Sequence, residues 1–437
     1  MLFRSPLEVE FYKQRYVSAS KGNYDIYVVF VERGLSLLSQ AGRLGYILPS
    51  KFFATDYGAS LRGLLASEKV VNEVVDFGHT QVFDHVSTYT CLLFLDSARG
   101  GATSYSRVLP SEVASGDLPA PRAAVLTSAP WQFMSDEVAS LSKRILAGST
   151  PLLELPTSIS RGSSTGDDEV FCLELKDGEL RTRDGEHVEI EEELLRRPLW
   201  ATDFTRYEFR PRNQAALIFP YRVSDDGYST IPEDELRDRW PGAYSYLHSR
   251  KARLEKRRQY NQWYGFSAPR NLHVHDSAQI VVPLLADRGL AAPLDCNNRS
   301  YCLMASGGFS IRVDARHVKV DPLFVLGLVN SKLLFWYLRQ ISNRFRGGWI
   351  TCTKQYFGQL PIRVPVFGTA DEGALHNALV ALVEQRLLVA NPGASAGSPD
   401  ACARRNRDLA SLEGQIDATV FGFYGLTGEE VSLTEAE

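Results

Sequence analysis

Long apolar runs are missing from this sequence of 437 residues, although 44% of its residues are hydrophobic. No run approaches the roughly 20 apolar residues that a membrane-spanning helix needs. The segment after Met1, LFRSPLEVEFYKQRY, carries too many charges for a signal peptide. We therefore expect a globular cytoplasmic protein, with enough apolar residues for two or three packed cores.

Cysteine is scarce, and the six cysteines follow no CxxC or Cys/His spacing. This pattern predicts neither a zinc site nor a disulfide framework, so no metal is expected. An excess of basic charge is also missing, because the formal net charge is −4. That balance does not exclude a nucleic-acid partner, since acidic surface elsewhere can outweigh a local basic face.

Basic residues are nevertheless clustered beyond residue 200. One such cluster is commonly a solvated helix face, whereas four of them favour contact with phosphates. The four segments are RYEFRPR (206–212), RKARLEKRR (250–258), RQISNRFR (339–346) and RRNR (404–407).

The first hundred residues have the pattern of an α/β domain. Apolar residues recur with nearly helical period in YDIYVVFVERGLSLLSQ, which begins at Tyr24. A second amphipathic helix is predicted over 57–67, and short strands over 45–50, 70–78 and 89–95. The last two strands form a hairpin-like pair, where an α/β sheet more often continues with another helix.

Four of these segments resemble, in order and spacing, the later conserved blocks of the gamma-class adenine-N6 DNA methyltransferases of restriction-modification systems. They are NYDIYVVFVERGL, GRLGYILPSKF, YGASLRGLL and VVDFGHTQVFDHVSTYTCLLFL. The resemblance implies an enzyme that extrudes an adenine from duplex DNA and holds it against an aromatic ring. It implies that Phe83, in the VF dipeptide, supplies the ring that holds the extruded adenine. It also implies that the ring of Phe30 packs against the adenine of the cofactor. The alternative for each is a core aromatic.

Two other signatures of that family are not found in the sequence. These are the glycine loop that binds S-adenosylmethionine and the Asn/Asp-Pro-Pro-Tyr/Phe tetrapeptide that orients the adenine amino group; the chain has no Pro-Pro pair. We therefore expect an incomplete Rossmann-like sheet over residues 1–100. An N-terminal methyltransferase half, or a partner subunit in trans, would supply the rest, since a half-sheet exposes an edge and an apolar face.

A linker is predicted over 101–154, because Ala, Ser, Gly and Pro are abundant there and only DEVASLSKRIL (136–146) has helical character. Residues 155–365 then resemble the TaqI-like C-terminal specificity domain of such enzymes. The resemblance is carried by ISRGSSTG, NQAALIFPY, LFVLGLVNSKLLFWYL and RGGWITCTK. It implies an α+β target-recognition domain that binds duplex DNA. Residues 366–437 are predicted to close it as a helical tail.

A protein that reads base edges needs side chains that present paired hydrogen-bond donors, such as the arginine guanidinium, on loops held by a rigid scaffold. Each candidate cation could instead form a surface or structural ion pair. The candidates are Arg161, Arg206, Arg210, Arg344, Arg346 and Lys354. Asn330 and Lys332, on a mainly apolar helix predicted over 328–338, are secondary candidates. His273 and His275 alternate as in a strand and lack a third metal ligand.

The sequence thus predicts the DNA-recognition and base-holding part of an adenine-N6 methyltransferase. A non-catalytic specificity subunit of a restriction or phage-defence complex, or an inert remnant, remains open.

If the chain is the recognition part of a methyltransferase, the isolated chain should neither bind S-adenosylmethionine nor transfer a methyl group, as isothermal titration and radiolabelled methyl transfer would show. Transfer should begin when a second polypeptide supplies the glycine loop and the tetrapeptide. Methylation by the isolated chain would contradict this prediction.

Overall fold

The structure is a computed structural model, which describes most of the chain. The described residues are 5–21, 24–78, 80–83, 88–97, 102–116, 118–131, 133–211, 213–289, 291–294, 300–314, 317, 319–342, 349–367, 370–390 and 399–435. The chain divides into two compact units, one of Met1–Glu137 and Gln340–Gly348, the other of Val138–Arg339 and Trp349–Glu437.

The first unit is built on a mixed sheet. Within the described residues it has five strands in the order β1-β3-β2-β4-β5. Strand β3 runs antiparallel to both β1 and β2, and β2 runs parallel to β4. The strands are β1 (Arg43–Pro49), β2 (Val71–Asp76), β3 (Thr90–Asp96), β4 (Thr103–Arg107) and β5 (Arg122–Ala124).

Helices α1 (Pro6–Arg15), α2 (Tyr27–Ser36), α3 (Ala59–Glu68) and α4 (Pro110–Ser115) accompany this sheet. The two predicted helices and three predicted strands of the first hundred residues are therefore confirmed, with ends shifted by a few residues. The hairpin-like pair is also confirmed, because β2 and β3 are antiparallel neighbours.

The core of the first unit lies between the sheet and its helices. On α2 the buried side chains include Val28, Val29 and Val31, and on α3 they include Leu61 and Leu65. They pack with the buried side chains of β3, such as Leu93. Their burial follows the apolar periodicity of the sequence, because one stripe of each helix faces the sheet.

The segment predicted as a linker contains regular structure. Strand β4 pairs in parallel with β2, from Glu73 opposite Ser104 to Asp76 opposite Arg107, and β5 pairs with β4. Small residues in this segment look linker-like in composition. They form strands here because main-chain pairing with β2 and β4 does not depend on large side chains.

The second unit contains two larger sheets. Counting described residues only, one has six strands in the order β10-β9-β8-β14-β11-β20, and the other four in the order β19-β17-β21-β7. The strands of this unit are β6 (Thr150–Pro151), β7 (Thr157–Arg161), β8 (Cys172–Lys176), β9 (Glu179–Arg181), β10 (His187–Val188), β11 (Leu195–Leu199), β12 (Phe204–Thr205), β13 (Glu208–Phe209), β14 (Ala215–Ile218), β15 (Tyr221–Ser224), β16 (Gly227–Thr230), β17 (Ile280–Val282), β18 (Leu285–Ala286), β19 (Ala292–Pro293), β20 (Tyr301–Leu303), β21 (Phe309–Val313), β22 (Ile350–Thr351) and β23 (Pro361–Ile362).

The C-terminal part of the second unit is helical, as predicted, and its helices α14 (Ala370–Ala390) and α15 (Pro399–Phe423) pack against each other. No helix among the described residues combines the length and apolar character needed to cross a membrane. The helices are α5 (Asp136–Ala147), α6 (Asp168–Phe171), α7 (Glu233–Arg239), α8 (Pro241–Ser249), α9 (Lys251–Leu254), α10 (Leu272–Asp276), α11 (Pro322–Asn330), α12 (Lys332–Ile341), α13 (Lys354–Phe357), α14 (Ala370–Ala390), α15 (Pro399–Phe423) and α16 (Gly428–Glu435).

Two local predictions for this unit are wrong. The expected single helix over 328–338 is interrupted at Ser331, whose hydroxyl accepts a hydrogen bond from the Leu334 amide and begins α12. The alternating histidines lie on the short helix α10 and not on a strand. That helix buries Leu272 and His275, which are three residues apart and share one of its faces.

A buried arginine holds the loop that follows β1. Arg62 of α3 is only 2% exposed, and its guanidinium donates to the carbonyls of Phe52 and Thr55. Its Nε donates to the carbonyls of Ser128 and Ala129. One side chain thus supplies hydrogen-bond donors to main-chain carbonyls of two loops, which have no neighbouring strand to pair with.

Arg62→Met should lower the free energy of unfolding of the first unit by about 3 kcal/mol, because the substitution leaves buried carbonyls without a donor. Urea unfolding followed by tryptophan fluorescence would measure the change. The matched control is Arg33→Met on the exposed side of α2, which should change stability by less than about 0.5 kcal/mol. Equal effects of the two variants would contradict the role given to Arg62.

Candidate functional site

Phe83 lies in the loop that follows β2, and its side chain is 48% exposed. The preceding residue, Val82, is partly buried and packs against Val75, Phe77 and Val108. Val82 is therefore held against this cluster, whereas the next residue, Phe83, is exposed to solvent. Phe83 is not the core aromatic that the alternative for this position required.

The start of the same loop is fixed by the carboxylate of Asp76, the last residue of β2. Its Oδ1 accepts a hydrogen bond from the Gly78 amide at 2.9 Å. Its Oδ2 accepts from the Tyr105 hydroxyl at 3.0 Å and pairs with Arg107 at 3.3 Å. Burial, together with the Asp76 charge, raises the pKa of Tyr105, which keeps the phenol protonated as a donor. Gly78 has φ +59°, where a glycine avoids the strain of a side chain.

The ends of β1 and β2 meet at one edge of the sheet. Pro49, at the end of β1, lies opposite Thr90, and Asp76 lies opposite Cys91. The Ser50 amide donates to the Tyr89 carbonyl at 3.0 Å, so the loop carrying the exposed Lys51 leaves the sheet beside the loop of Phe83. The carboxyl ends of strands are where open α/β sheets place their ligands.

Phe30 is also on the surface, with 59% of its side chain exposed. The neighbouring Val28, Val29 and Val31 form the inward face of α2 instead. The main-chain carbonyl of Phe30 accepts a hydrogen bond from the Tyr46 hydroxyl of β1 at 3.1 Å, which ties this turn of the helix to the sheet. A core role for the Phe30 ring is therefore wrong, and its contact with a cofactor stays a prediction.

In the second unit, the RGSSTG turn (161–166) is tightly packed. A Cβ on Gly162 would lie 2.1 Å from the Met304 carbonyl oxygen, and one on Gly166 would lie 1.9 Å from the Ser267 hydroxyl. The two glycines are thus needed for close approach of neighbouring segments. Arg161 enters the turn with an exposed side chain, whose Nε makes a long hydrogen bond of 3.4 Å to the Ala305 carbonyl.

The turn is joined to the segment 257–270 by hydrogen bonds in both directions. Ser164 and Ala268 exchange main-chain hydrogen bonds, each 2.9 Å long, and the Ser163 hydroxyl donates to the Pro269 carbonyl. Arg257 donates to the carbonyls of Thr165 and Gly265 at 2.7 and 2.8 Å. The structure therefore brings together RGSSTG and the end of RKARLEKRR, two segments singled out in the sequence, and joins them to WYGFSAPRN (263–271).

The side chains of several candidate DNA-contacting residues form hydrogen bonds or ion pairs inside the second unit. Arg206 donates twice to the Asn330 carbonyl and forms an ion pair with Glu413. Asn330 is 1% exposed and exchanges two hydrogen bonds with the Ala291 main chain, so it is structural. Lys332 pairs with Glu435 at 2.7 Å. For Arg206, the ion-pair alternative is therefore the one the geometry favours.

The remaining candidates differ in their surroundings. Arg210 donates to the Ala390 carbonyl and lies 3.7 Å from a carboxylate oxygen of Glu208, yet its side chain is 44% exposed. Lys354 is exposed at the start of α13. Arg344 and Arg346 lie outside the described residues.

The described residues contain no group of three or more His, Cys, Asp or Glu side chains placed to hold a metal ion. His275 is instead a packing residue, whose Nδ1 lies 2.7 Å from the Ser310 hydroxyl of β21. Burial lowers the pKa of His275 to about 4, so its ring is neutral near pH 7.

Some residues that organise these sites were not among the sequence candidates. Asp76 and Arg257 hold the Phe83 loop and the RGSSTG turn, respectively. Arg257 lies in a basic cluster that predicted phosphate contact, but its guanidinium is directed at main-chain carbonyls. No sequence signal separates it from its neighbours, because its partners depend on the fold.

The amino-terminal segment, residues 4–83, matches a family described as Eco57I restriction-modification methylase. Homologues of the chain are Type II restriction-modification methyltransferases. The Type II restriction enzyme and methyltransferase RM.Eco57I of Escherichia coli is 26% identical over 405 residues, which cover 86% of this chain and 40% of that protein. The Type II methyltransferase M.PaeR7I of Pseudomonas aeruginosa is 27% identical over 395 residues, covering 85% and 63%. The chain thus spans less than two thirds of either relative.

The fold is similar to that of a solved restriction-modification enzyme. The structure of the Type IIL enzyme MmeI in complex with DNA aligns with 97% of this chain and 53% of the MmeI chain, with a TM-score of 0.60 and 13% sequence identity. At this identity the likeness concerns the fold.

The buried His275 predicts a pH dependence. Its pKa in the folded chain, about 4, lies below its unfolded value of about 6.5, so the unfolded chain binds more protons between these values. The free energy of unfolding should therefore fall as the pH drops from 6.5 to 4, by about 3 kcal/mol from this residue. Urea unfolding of wild type and His275→Gln would isolate the contribution, which His275→Gln should lack. In the exposed control His187→Gln the full dependence should remain; its loss there would contradict the assignment.

Proposed function

We propose that this chain recognises duplex DNA and holds an extruded adenine for a site-specific adenine-N6 DNA methyltransferase. The observation that carries the proposal is the exposed ring of Phe83, on an anchored loop at the carboxyl edge of the first sheet. An extruded base needs an aromatic face on which to stack, since stacking partly replaces the contacts that it loses in the duplex.

Two anchors support this assignment. Asp76 fixes the start of the loop through Gly78, and Val82 fixes the residue next to Phe83. An exposed ring held in this way loses little conformational freedom when a base stacks on it. The match of residues 4–83 to a methylase family also supports the assignment, because the matched segment contains Phe83.

For DNA recognition, the supporting residues are the exposed cations of the second unit. Arg161 and Lys354 are exposed and make no ion pair with any described residue, and Arg210 keeps nearly half of its side chain in solvent. We assign these three to contacts with phosphates or base edges, together with Arg344 and Arg346. Arg206 is left out, because its donors are used by Asn330 and Glu413.

The methyl donor implied by the methylase family is S-adenosylmethionine. Among the sequence candidates, Phe30 offers a suitable contact, since its exposed ring could pack against the adenine of the cofactor. When bound, the cofactor would supply the methyl group. Phe83 holds the base, and the exposed cations of the second unit hold the DNA. The need for a second polypeptide stays a prediction.

Phe83→Ala should weaken binding to DNA with an already unpaired adenine by about 1–3 kcal/mol, the usual contribution of one base–aromatic stack. A duplex is first selected by the wild-type chain from a random pool. In the substrate, 2-aminopurine then replaces the target adenine and lies opposite an abasic site. Anisotropy measures affinity, and 2-aminopurine quenching measures stacking. Phe83→Trp should retain both signals, and affinity should fall steeply with salt as counterions are released.

The matched control is Phe11→Ala, because Phe11 is 52% exposed on α1 of the same unit. It should leave both signals unchanged. If wild type binds DNA but Phe83→Ala changes neither affinity nor quenching, the chain is a DNA-specificity subunit in which Phe83 holds no base. Failure of wild type to bind any duplex would overturn the whole proposal.

A further inference from the structure

The segment Arg258–Gln262 (RQYNQ), here called the 258–262 loop, is an exposed stretch rich in amide groups. Arg258, Gln259, Asn261 and Gln262 are all exposed. Across the part of the chain that the structure describes, no residue forms a hydrogen bond or ion pair with any of these four side chains. They lie within five consecutive residues outside helix and strand, with Tyr260 between Gln259 and Asn261.

The main chain of this loop is nevertheless firmly held at both ends. Before it, Arg257 directs its guanidinium at the carbonyls of Thr165, Gly265 and Trp263. After it, Trp263 is 7% and Tyr264 1% exposed, and the Tyr264 hydroxyl donates to the Ile231 carbonyl at 2.8 Å.

The middle of the loop is also attached. The ring of Tyr260 packs against the core of the second unit and lies 5.4 Å from the guanidinium carbon of Arg257. Its hydroxyl donates to the Glu255 carbonyl at 3.4 Å. The loop thus combines a fixed backbone with free polar side chains, whereas a merely solvated loop requires no such anchoring.

We propose that the 258–262 loop reads base edges and helps to set the DNA sequence that this chain recognises; this inference rests on the proposed DNA binding. Asn and Gln side chains pair with the edge of adenine through two hydrogen bonds, and the arginine fork pairs in the same way with guanine. Gln259, Asn261 and Gln262 supply the amides, and Arg258 supplies the fork. Lys256, exposed two residues earlier, supplies a phosphate contact.

The loop is attached to the RGSSTG turn by the hydrogen bond from Arg257 to the Thr165 carbonyl. Gly166 has φ +79°, and a Cβ there would lie 3.1 Å from Cδ of Arg257 as well as against Ser267. The turn therefore supports the residue that precedes the 258–262 loop.

Selection from a randomised duplex pool, followed by sequencing, tests the inference. The triple variant Gln259→Ala, Asn261→Ala, Gln262→Ala should lose preference at one or two adjacent positions of the wild-type motif, by about 5- to 150-fold per position, while affinity for random duplex changes by less than about twofold. Arg258→Lys keeps the charge but not the fork, so it should relax a guanine position without reducing the salt dependence.

The matched control is Gln385→Ala with Asn406→Ala, which removes two exposed amides from α14 and α15. It should select the wild-type motif. If the triple variant also selects that motif, the loop does not read bases, while DNA recognition by the chain stands. Wild-type binding without any preferred sequence would equally overturn the role of the loop, and absence of duplex binding by wild type would overturn the proposed function itself.

Discussion

Buried and partly buried arginine side chains that donate to main-chain carbonyls hold the irregular parts of this protein in place. Arg62 does so for the loop after β1, Arg257 for the RGSSTG turn, and Arg206 for the end of α11. Loops that pass through a protein interior must satisfy their carbonyl groups without a ladder of neighbouring strands. A guanidinium suits this task, because its five donors form a fixed planar fork that reaches several carbonyls at once.

This constraint separates two kinds of arginine that look identical in the sequence. In the cluster 250–258, Arg250 pairs with Glu186, Arg253 pairs with Asp167, and Arg257 binds carbonyls. Only Lys256 and Arg258 in that cluster are exposed without a described partner. The basic character of the segment therefore serves mainly to build the second unit, and a smaller part of it is exposed to solvent.

The local elements of the first unit could be predicted from the sequence because their apolar patterns are short-range. Helix α2 follows from the periodicity of Ile26, Val29, Phe30, Leu35 and Leu38. Its buried face does not, because the structure exposes Phe30 and buries Val28, Val29 and Val31. What could not be predicted are partners far apart in the chain, such as Arg206 with Glu413 and Arg210 with the Ala390 carbonyl. The exposure of Phe30 and Phe83 was also undetermined, since an aromatic beside a valine is compatible with either face until the packing of that valine is known.

Glu413 of α15 accepts from both Arg206 and Arg386, and it is 207 residues later in the chain than Arg206. During synthesis, therefore, Arg206 emerges from the ribosome long before the carboxylate that neutralises it. Until Glu413 has been translated, the guanidinium of Arg206 lacks this partner and stays hydrated. The segment around β12 and β13 therefore cannot adopt its final packing before then. The second unit therefore reaches its final packing only after Glu413 has been synthesised, late in translation.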